Sequence, residues 1–477
     1  MLFDTPVYIC FLTAVVALYW RLGWRAQNVF LLAASYFFYA WWDWRFLGLI
    51  LLSTVVDYYC SHIVDRSEDA LKRKAALTLS VALNLGFLGV FKYFNFFVDS
   101  FAGLLATIGV DVPHETLRIL LPPGISFYTF QALAYIVDVY FRRLKPADSL
   151  VDYALFISLF PHLIAGPIQR PAHLLPQVQK PRTFDASRFF DGLLLITSGL
   201  FRKVVIADNC ALLANAAFNG ALGPPSLAVV AIGVYAFAWQ IYGDFSGYSD
   251  MARGSAQLLG FHFMVNFRQP YLARGLQEFW RRWHISLSTW LRDYLYISLG
   301  GSRQGERKTY RNLMLTMLLG GLWHGANWTF VVWGAIHGVG LAIERFVRGL
   351  VPGLRDKEDA IPSRDASLGA WVRRVLLFHL VCVTWIFFRA PSIGDAFAFL
   401  GGLGQFAWVP EYATACVFLA AATLPLFFID CLNEWRNEEY VLAKSSYRVR
   451  IAVAMSLMLA TLLFAGSSTN AFIYFQF

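Results

Sequence analysis

Long apolar runs, separated by short basic or polar connections, extend along nearly the whole chain. They fall at residues 6–20, 29–42, 46–64, 75–90, 94–110, 117–140, 153–165, 189–206, 226–242, 313–334, 335–346, 371–388, 414–429 and 451–464. Many approach the ~20 residues with which an α-helix crosses a bilayer. The runs are continuously apolar and lack the alternation of lipid-facing strands, so helices rather than a barrel are expected. The pattern predicts an all-α, polytopic helical membrane protein. About 11–14 membrane helices are expected, plus short interfacial or re-entrant ones, around a central funnel. It reads as one integral-membrane domain, with N-terminal helices over 1–110, a core over 111–350 and C-terminal helices over 371–466.

Three interruptions add detail. Pro122-Pro123-Gly124 falls inside the run 117–140 and is followed by Ser126, Tyr128, Thr129 and Gln131. It reads either as a helix break facing a cavity, with Gln131 as a polar contact for substrate, or as a plain loop-to-helix start. Residues 243–250, Gly-Asp-Phe-Ser-Gly-Tyr-Ser-Asp, form a polar break directly after the run 226–242. Over 276–299, Trp280, Trp283, Leu287, Trp290, Leu291 and Tyr294 recur at helical spacing, with Arg281, His284, Ser288 and Arg292 on the opposite face. That pattern predicts a helix lying along the membrane interface. Its polar face serves either as snorkelling cations or as the lining of an entrance for an anionic donor. Residues 349–368 read as a solvent loop.

The stretch 318–341 concentrates the candidate chemistry. It holds no Asp, Glu, Lys or Arg, and it places His324, Asn327 and His337 among aromatic and aliphatic side chains. At membrane depth an ionisable residue is costly and is a functional candidate by default. Imidazole suits proton transfer near neutral pH. A helix-packing histidine bonded to a neighbouring carbonyl is the alternative for His324. The flanking Trp323 and Gly325, with Asn327, favour a site, because glycine permits close approach and tryptophan offers a donor. His337, in a glycine-rich run, fits tight packing as well as a substrate contact.

Composition changes little. Hydrophobic residues make up 58% and charged residues 15% of the 477, which excludes an ordinary soluble protein. The net charge of +9 is concentrated between the runs and marks orientation and anionic headgroups, not nucleic acid. Basic connections after the first and third runs place the N-terminus outside the cytoplasm. The first run has no basic n-region or small-residue cleavage site and reads as a retained helix. The six cysteines form no Cys-x-x-Cys pair, and His324 and His337 lack i,i+4 histidine partners, so no metal is expected. Gly-x-Ser-x-Gly, His-Glu-x-x-His, His-x-x-x-x-Asp and Walker A patterns are absent.

An ordered set of motifs carries a resemblance. Pro122-Pro123-Gly124-Ile125-Ser126-Phe127-Tyr128, Gly166-Pro167-Ile168 and Gly247-Tyr248-Ser249-Asp250 are followed by two more. These are Phe279-Trp280-Arg281-Arg282-Trp283-His284-Ile285-Ser286-Leu287-Ser288 and Trp323-His324-Gly325. The set resembles the membrane-bound O-acyltransferase family, in particular its bacterial branch of alginate O-acetyltransferase membrane subunits. The forty residues from His284 to His324 agree with that family's pair of functional polar residues.

The resemblance implies an acyltransferase with a funnel through the membrane. His324 would be the essential residue, and His284 would assist from the cytoplasmic mouth. It further implies acetyl-CoA, or another acetyl thioester, as donor. Acetyl groups would cross the bacterial inner membrane to an exported polysaccharide of alginate or cellulose type, through a periplasmic acetyltransferase or other polysaccharide-modification partner. Arg281, Arg292, Ser288, Trp323, Asn327, Gln131 and His337 are the candidate substrate contacts. Peptidoglycan or teichoic-acid acyl transfer is the near alternative. A non-enzymatic export or transport subunit is the distant one, although transporters often show internal repeats, and none stands out here.

Overall fold

The computed structural model describes residues 1–111, 116, 120–350, 365–465 and 472–473. Among these the backbone is helical and contains no strand. Among the described residues seven helices are long and apolar enough to cross a membrane: Trp44–Arg66, Ala70–Thr107, Leu227–Leu258, Trp328–Leu350, Leu368–Arg389, Pro410–Arg436 and Tyr447–Phe464. Pro6–Tyr19 and Ile393–Gly404 are apolar but shorter. The protein is thus polytopic. Several of the shorter runs in the sequence become short helices or parts of broken ones.

The chain forms two compact units. The first comprises Met1–Leu193 and Ala252–Met264. It opens with α1 (Pro6–Tyr19), α2 (Trp24–Ala40), α3 (Leu47–Arg66) and α4 (Ala70–Leu88). The Thr5 side chain caps α1 with Pro6 in its first turn, and Asp69 caps α4 through the N–H of Leu71. The expected runs 75–90 and 94–110 are one continuous stretch, in which a π-helical segment (Gly89–Tyr93) leads from α4 into α5 (Phe94–Thr107). Next come α6 (Ile125–Tyr140), α7 (Leu150–Ser158), α8 (Phe160–Leu163) and α9 (Pro171–Val178).

The loop-to-helix reading of Pro122-Pro123-Gly124 is the one the backbone adopts. Helix α6 starts at Ile125, and Gly124 precedes it at φ +75°. A Cβ on Gly124 would lie 2.2 Å from the Leu163 carbonyl oxygen, so both conformation and contact require glycine. Within the apolar bundle, the buried Asp57 carboxylate accepts from Ser80 (2.5 Å), Asn84 (3.0 Å) and Ser53 (3.1 Å), which fastens α3 to α4.

The second unit comprises Leu194–Met251 and Val265–Phe477. The helix α10 (Ala186–Phe201) leads into it, followed by α11 (Asp208–Phe218) and α12 (Leu227–Leu258). Here the structure corrects the reading of a polar break at 243–250, because α12 runs through it without interruption. The polar side chains are satisfied by residues distant in sequence. Asp250 pairs with Arg202 (3.2 Å), and Asp244 pairs with Lys203 (3.0 Å), which also holds Asp208 (2.8 Å). Gly199 and Gly247 let the two helices touch; a Cβ on either would fall 2.5–2.6 Å from the other's carbonyl oxygen.

The expected continuous helix over 276–299 is also corrected. It is divided into α13 (Leu276–Arg282), α14 (Ile285–Trp290) and a π-helical turn (Leu291–Tyr296). The break falls at His284, which takes a left-handed backbone at φ +43°. The stripe of Arg281, His284, Ser288 and Arg292 is therefore not one face. Arg281 and Arg292 are exposed, whereas His284 is fully buried.

Helices α15 (Glu306–His324) and α16 (Trp328–Leu350) form a tight hairpin. His324 ends α15 rather than sitting inside the run 313–334. The Asn327 side chain accepts from the N–H of Thr329 (3.0 Å) at the start of α16. The chain finishes with α17 (Leu368–Arg389), α18 (Ile393–Gly401), α19 (Pro410–Arg436) and α20 (Tyr447–Phe464). Most of the expected solvent loop, residues 351–364, lies outside the described residues.

Glycine sets the hairpin's closeness. A Cβ on Gly321 would lie 2.2 Å from the Phe330 carbonyl oxygen, and one on Gly334 would lie 2.3 Å from that of Met317. Backbone atoms cannot yield as a flexible side chain does. Gly334→Ala should therefore destabilise the purified protein by about 1–3 kcal/mol, the usual cost of overpacking. Gly369→Ala, where nothing lies within 4 Å, should leave it unchanged. Thermal unfolding of both variants checks this, and equal melting would contradict it.

Candidate active site

The second unit brings His284 and His324 together, with ring centroids 6.4 Å apart. Both are buried, at 0% and 3% exposure. Aromatic rings wall them in. The His324 ring meets Trp323 and Trp333 at 5.1 Å each and Phe388 at 5.3 Å. The His284 ring stands edge-on to Phe245 at 4.6 Å and lies 5.9 Å from Trp323. The wall continues through Trp385, stacked 5.7 Å from Trp333 and 5.1 Å from Trp283. Its position at the end of α15 puts His324 where the backbone turns, at a helix terminus whose carbonyls no helical partner satisfies.

The orientation of His284 is set by a residue the sequence did not point to. Asn266, at 1% exposure, places Oδ1 3.1 Å from His284 Nδ1. The same oxygen accepts from the Ser286 hydroxyl (2.9 Å) and backbone N–H (3.3 Å), which identifies it as the carbonyl end of the amide. Nδ2 of Asn266 donates to Ser249 Oγ (3.1 Å), and its main-chain oxygen accepts from Ile285 N–H (2.9 Å). Nδ1 of His284 therefore carries the proton and donates it to Asn266, which leaves Nε2 as the basic nitrogen. Burial holds the imidazole neutral by pushing its pKa down to about 3.

The remaining candidates divide. Trp323 belongs to the wall, and His337 lies one ring beyond it, 4.8 Å from Trp333. Nε2 of His337 meets Thr384 Oγ1 at 3.1 Å. Asn327 caps α16 and donates to the Pro391 carbonyl (2.9 Å), so main-chain groups engage both ends of its amide. The Ser288 hydroxyl donates to the Trp283 carbonyl (3.0 Å). Arg292 pairs with its neighbour Asp293 (2.7 Å) at the surface. Gln131 belongs to the first unit, where Oε1 lies 3.1 Å from Nε2 of the buried His162.

The charge that matters structurally at this site is on Arg282 rather than Arg281. Arg282 is fully buried and forks between Glu278 (2.7 Å) and both carboxylate oxygens of Glu434 (2.7 and 2.8 Å). It pins the short α13 to α19. Among the described residues no cluster of three His, Cys, Asp or Glu side chains has the arrangement of a metal site.

A buried pair of imidazoles in a polytopic helical protein is equipped for proton transfer. The pattern of MBOAT, the membrane-bound O-acyltransferase family, matches residues 36–388, and the chain belongs to that family. It is an acyltransferase. It is 41% identical over the full length of both chains to a probable alginate O-acetylase AlgI of Pseudomonas putida. It is 46% identical to the protein of that name from Azotobacter vinelandii, over 85% of this chain and 78% of the relative. A peptidoglycan O-acetyltransferase of Helicobacter pylori is 36% identical over 84% of this chain and 80% of its own.

Asn266→Leu keeps the volume roughly and removes the acceptor of His284 Nδ1. Acyl transfer should fall by about 10²-fold, the lower range for a misdirected general base. Asn266→Asp, which still accepts, should retain more activity than the leucine variant. Equal rates for wild type and Asn266→Leu would contradict the assignment.

Proposed function

We propose that the protein moves acetyl groups from a cytoplasmic thioester donor across the inner membrane, for O-acetylation of an exported polysaccharide of the alginate type. The single observation that carries this reading is the buried His284–His324 pair, held 6.4 Å apart in a chain of this family. The relatives named alginate O-acetylase favour the polymer.

The donor thioester supplies the activated acyl group. His324 takes the proton of the attacking hydroxyl as its oxygen bonds to the acyl carbon, and the carbon–sulfur bond breaks with departure of the thiol. His284, fixed by Asn266, offers Nε2 as a second basic nitrogen. The aromatic wall excludes water, which would otherwise compete as acceptor. Acetyl-CoA fits as donor, because the exposed Arg281 and Arg292 suit its phosphates. A periplasmic acetyltransferase would receive the group or pass it on. The N-terminus then lies on the periplasmic side, in accord with the basic connections after the first and third apolar runs.

A second reading, acetylation of peptidoglycan, is favoured by the Helicobacter pylori relative. Mass analysis of polymers from cells with and without the protein separates the two. Loss of acetyl esters from the exopolysaccharide, with peptidoglycan esters unchanged, is the expected result. Loss from peptidoglycan alone would overturn the proposal in favour of the second reading.

A further inference from the structure

The second unit holds a cavity of about 640 Å³ that the acyl-transfer chemistry does not use. It lies between α16 and α17 and reaches the N-terminal turn of α13. Its sides are apolar and open outward, with Val339, Ile343, Leu376 and Leu380 between 44% and 65% exposed. Its two ends are polar in different ways. One end carries three guanidinium groups, Arg274, Arg348 and Arg373, against one carboxylate, Glu344. The other ends at His337 and Thr384, joined by the 3.1 Å contact.

The dimensions fit one leaflet of a bilayer. From Arg348 back to His337 is eleven residues on α16, and from Arg373 to Thr384 is eleven on α17. At ~1.5 Å per residue each span is about 16 Å. That is roughly half of the ~30 Å hydrocarbon core. Both helices are among the seven candidate spans.

The charge at the outer end is arranged for an anion. Glu344 is held by Arg348 (2.5 Å) and by the N–H of Gln277 (3.1 Å), and Arg348 also donates to Gln277 Oε1 (3.0 Å). Arg274 pairs with Glu278 (3.1 Å), outside the lining. Counted with Glu278, the three guanidinium groups meet two carboxylates, and these groups keep an excess of one positive charge. Guanidinium forks bind phosphate oxygens in pairs. At the inner end His337 Nδ1 is buried without a hydrogen-bond partner.

We propose that this groove is a binding site for one anionic phospholipid. Its phosphate sits among Arg274, Arg348 and Arg373, and one acyl chain lies between α16 and α17 with its end toward His337. The site abuts the aromatic wall, because His337 and His324 flank the same Trp333 ring, at 4.8 and 5.1 Å. This assignment does not depend on which polymer is acetylated.

The test uses the full-length protein, equilibrated with equal phosphatidylglycerol and phosphatidylcholine and then examined for retained lipid by native mass spectrometry. Wild type should retain phosphatidylglycerol preferentially, by roughly fivefold for each guanidinium engaged. Arg348→Gln combined with Arg373→Gln should remove the preference. Leu380→Trp, which fills the chain half and leaves the arginines in place, should lower retention of both lipids. Melting temperature and monodispersity check folding; should the double variant fail to fold, Leu380→Trp decides alone. Equal retention of the two lipids by wild type would overturn the proposal. So would displacement of the lipid by inorganic phosphate together with undiminished retention in Leu380→Trp, which would assign a soluble anion instead.

Discussion

The contact between the Asn266 amide and the His284 ring is the constraint on which the site depends. A buried imidazole is useful for proton transfer only if one nitrogen is left basic and aimed, and a single 3.1 Å hydrogen bond decides which. Asn266 is itself over-determined. Its oxygen serves three donors, its nitrogen is tied to Ser249 on α12, and its main chain holds Ile285. The left-handed backbone at His284 breaks what would have been one helix and turns this ring inward while Arg281 and Arg292 remain outside. Strain of that kind persists where surrounding contacts fix it, commonly at functional positions.

His324 is placed by different means. Gly321 and Gly334 bring α15 and α16 to backbone contact, and Gly325 lies where any Cβ would fall within 2.1 Å of the Phe330 ring. The hairpin therefore ends in a turn too tight to shift, with His324 at its apex. Trp333, one turn further along α16, closes over the ring. The ionic contacts of Arg202, Lys203 and Arg282 hold the supporting helices. Each buries a guanidinium or ammonium against carboxylates from elsewhere in the sequence. Breaking such a pair leaves a buried charge without compensation, which costs several kcal/mol, about 3–5.

Much of this was legible in the sequence, for physical reasons. Apolar length reports spans directly, so the helices Leu368–Arg389, Pro410–Arg436 and Tyr447–Phe464 were visible. The absence of charge around His324 marked it as a candidate, and the motif spacing suggested the pairing with His284 that the 6.4 Å ring separation fits. What stayed hidden depended on partners far along the chain. Residues 243–250 look like a loop until Arg202 and Lys203 are seen to neutralise them inside α12. Asn266 sits in an irregular segment with no periodicity to signal it. Arg281 and Arg282 are adjacent and alike in sequence, and only the presence of Glu434 separates the buried one from the exposed one. His284's break could not be read from helical spacing, which assumes the helix it interrupts. An ionisable residue inside an apolar stretch, as at Leu159-Phe160-Pro161-His162-Leu163-Ile164, was the available signal for the His162–Gln131 pair of the first unit.

The central claim is that the His324 ring performs the proton transfer. It is tested most directly in vesicles reconstituted with the purified protein, a labelled acetyl thioester and a soluble hydroxyl acceptor. The measurement compares ester formation by wild type and by His324→Gln, which keeps a polar side chain at the site. With unchanged thermal unfolding, the variant should form ester about 10²–10⁴-fold more slowly, the range for loss of a general base. Ester formation at the wild-type rate by the folded variant would contradict the account.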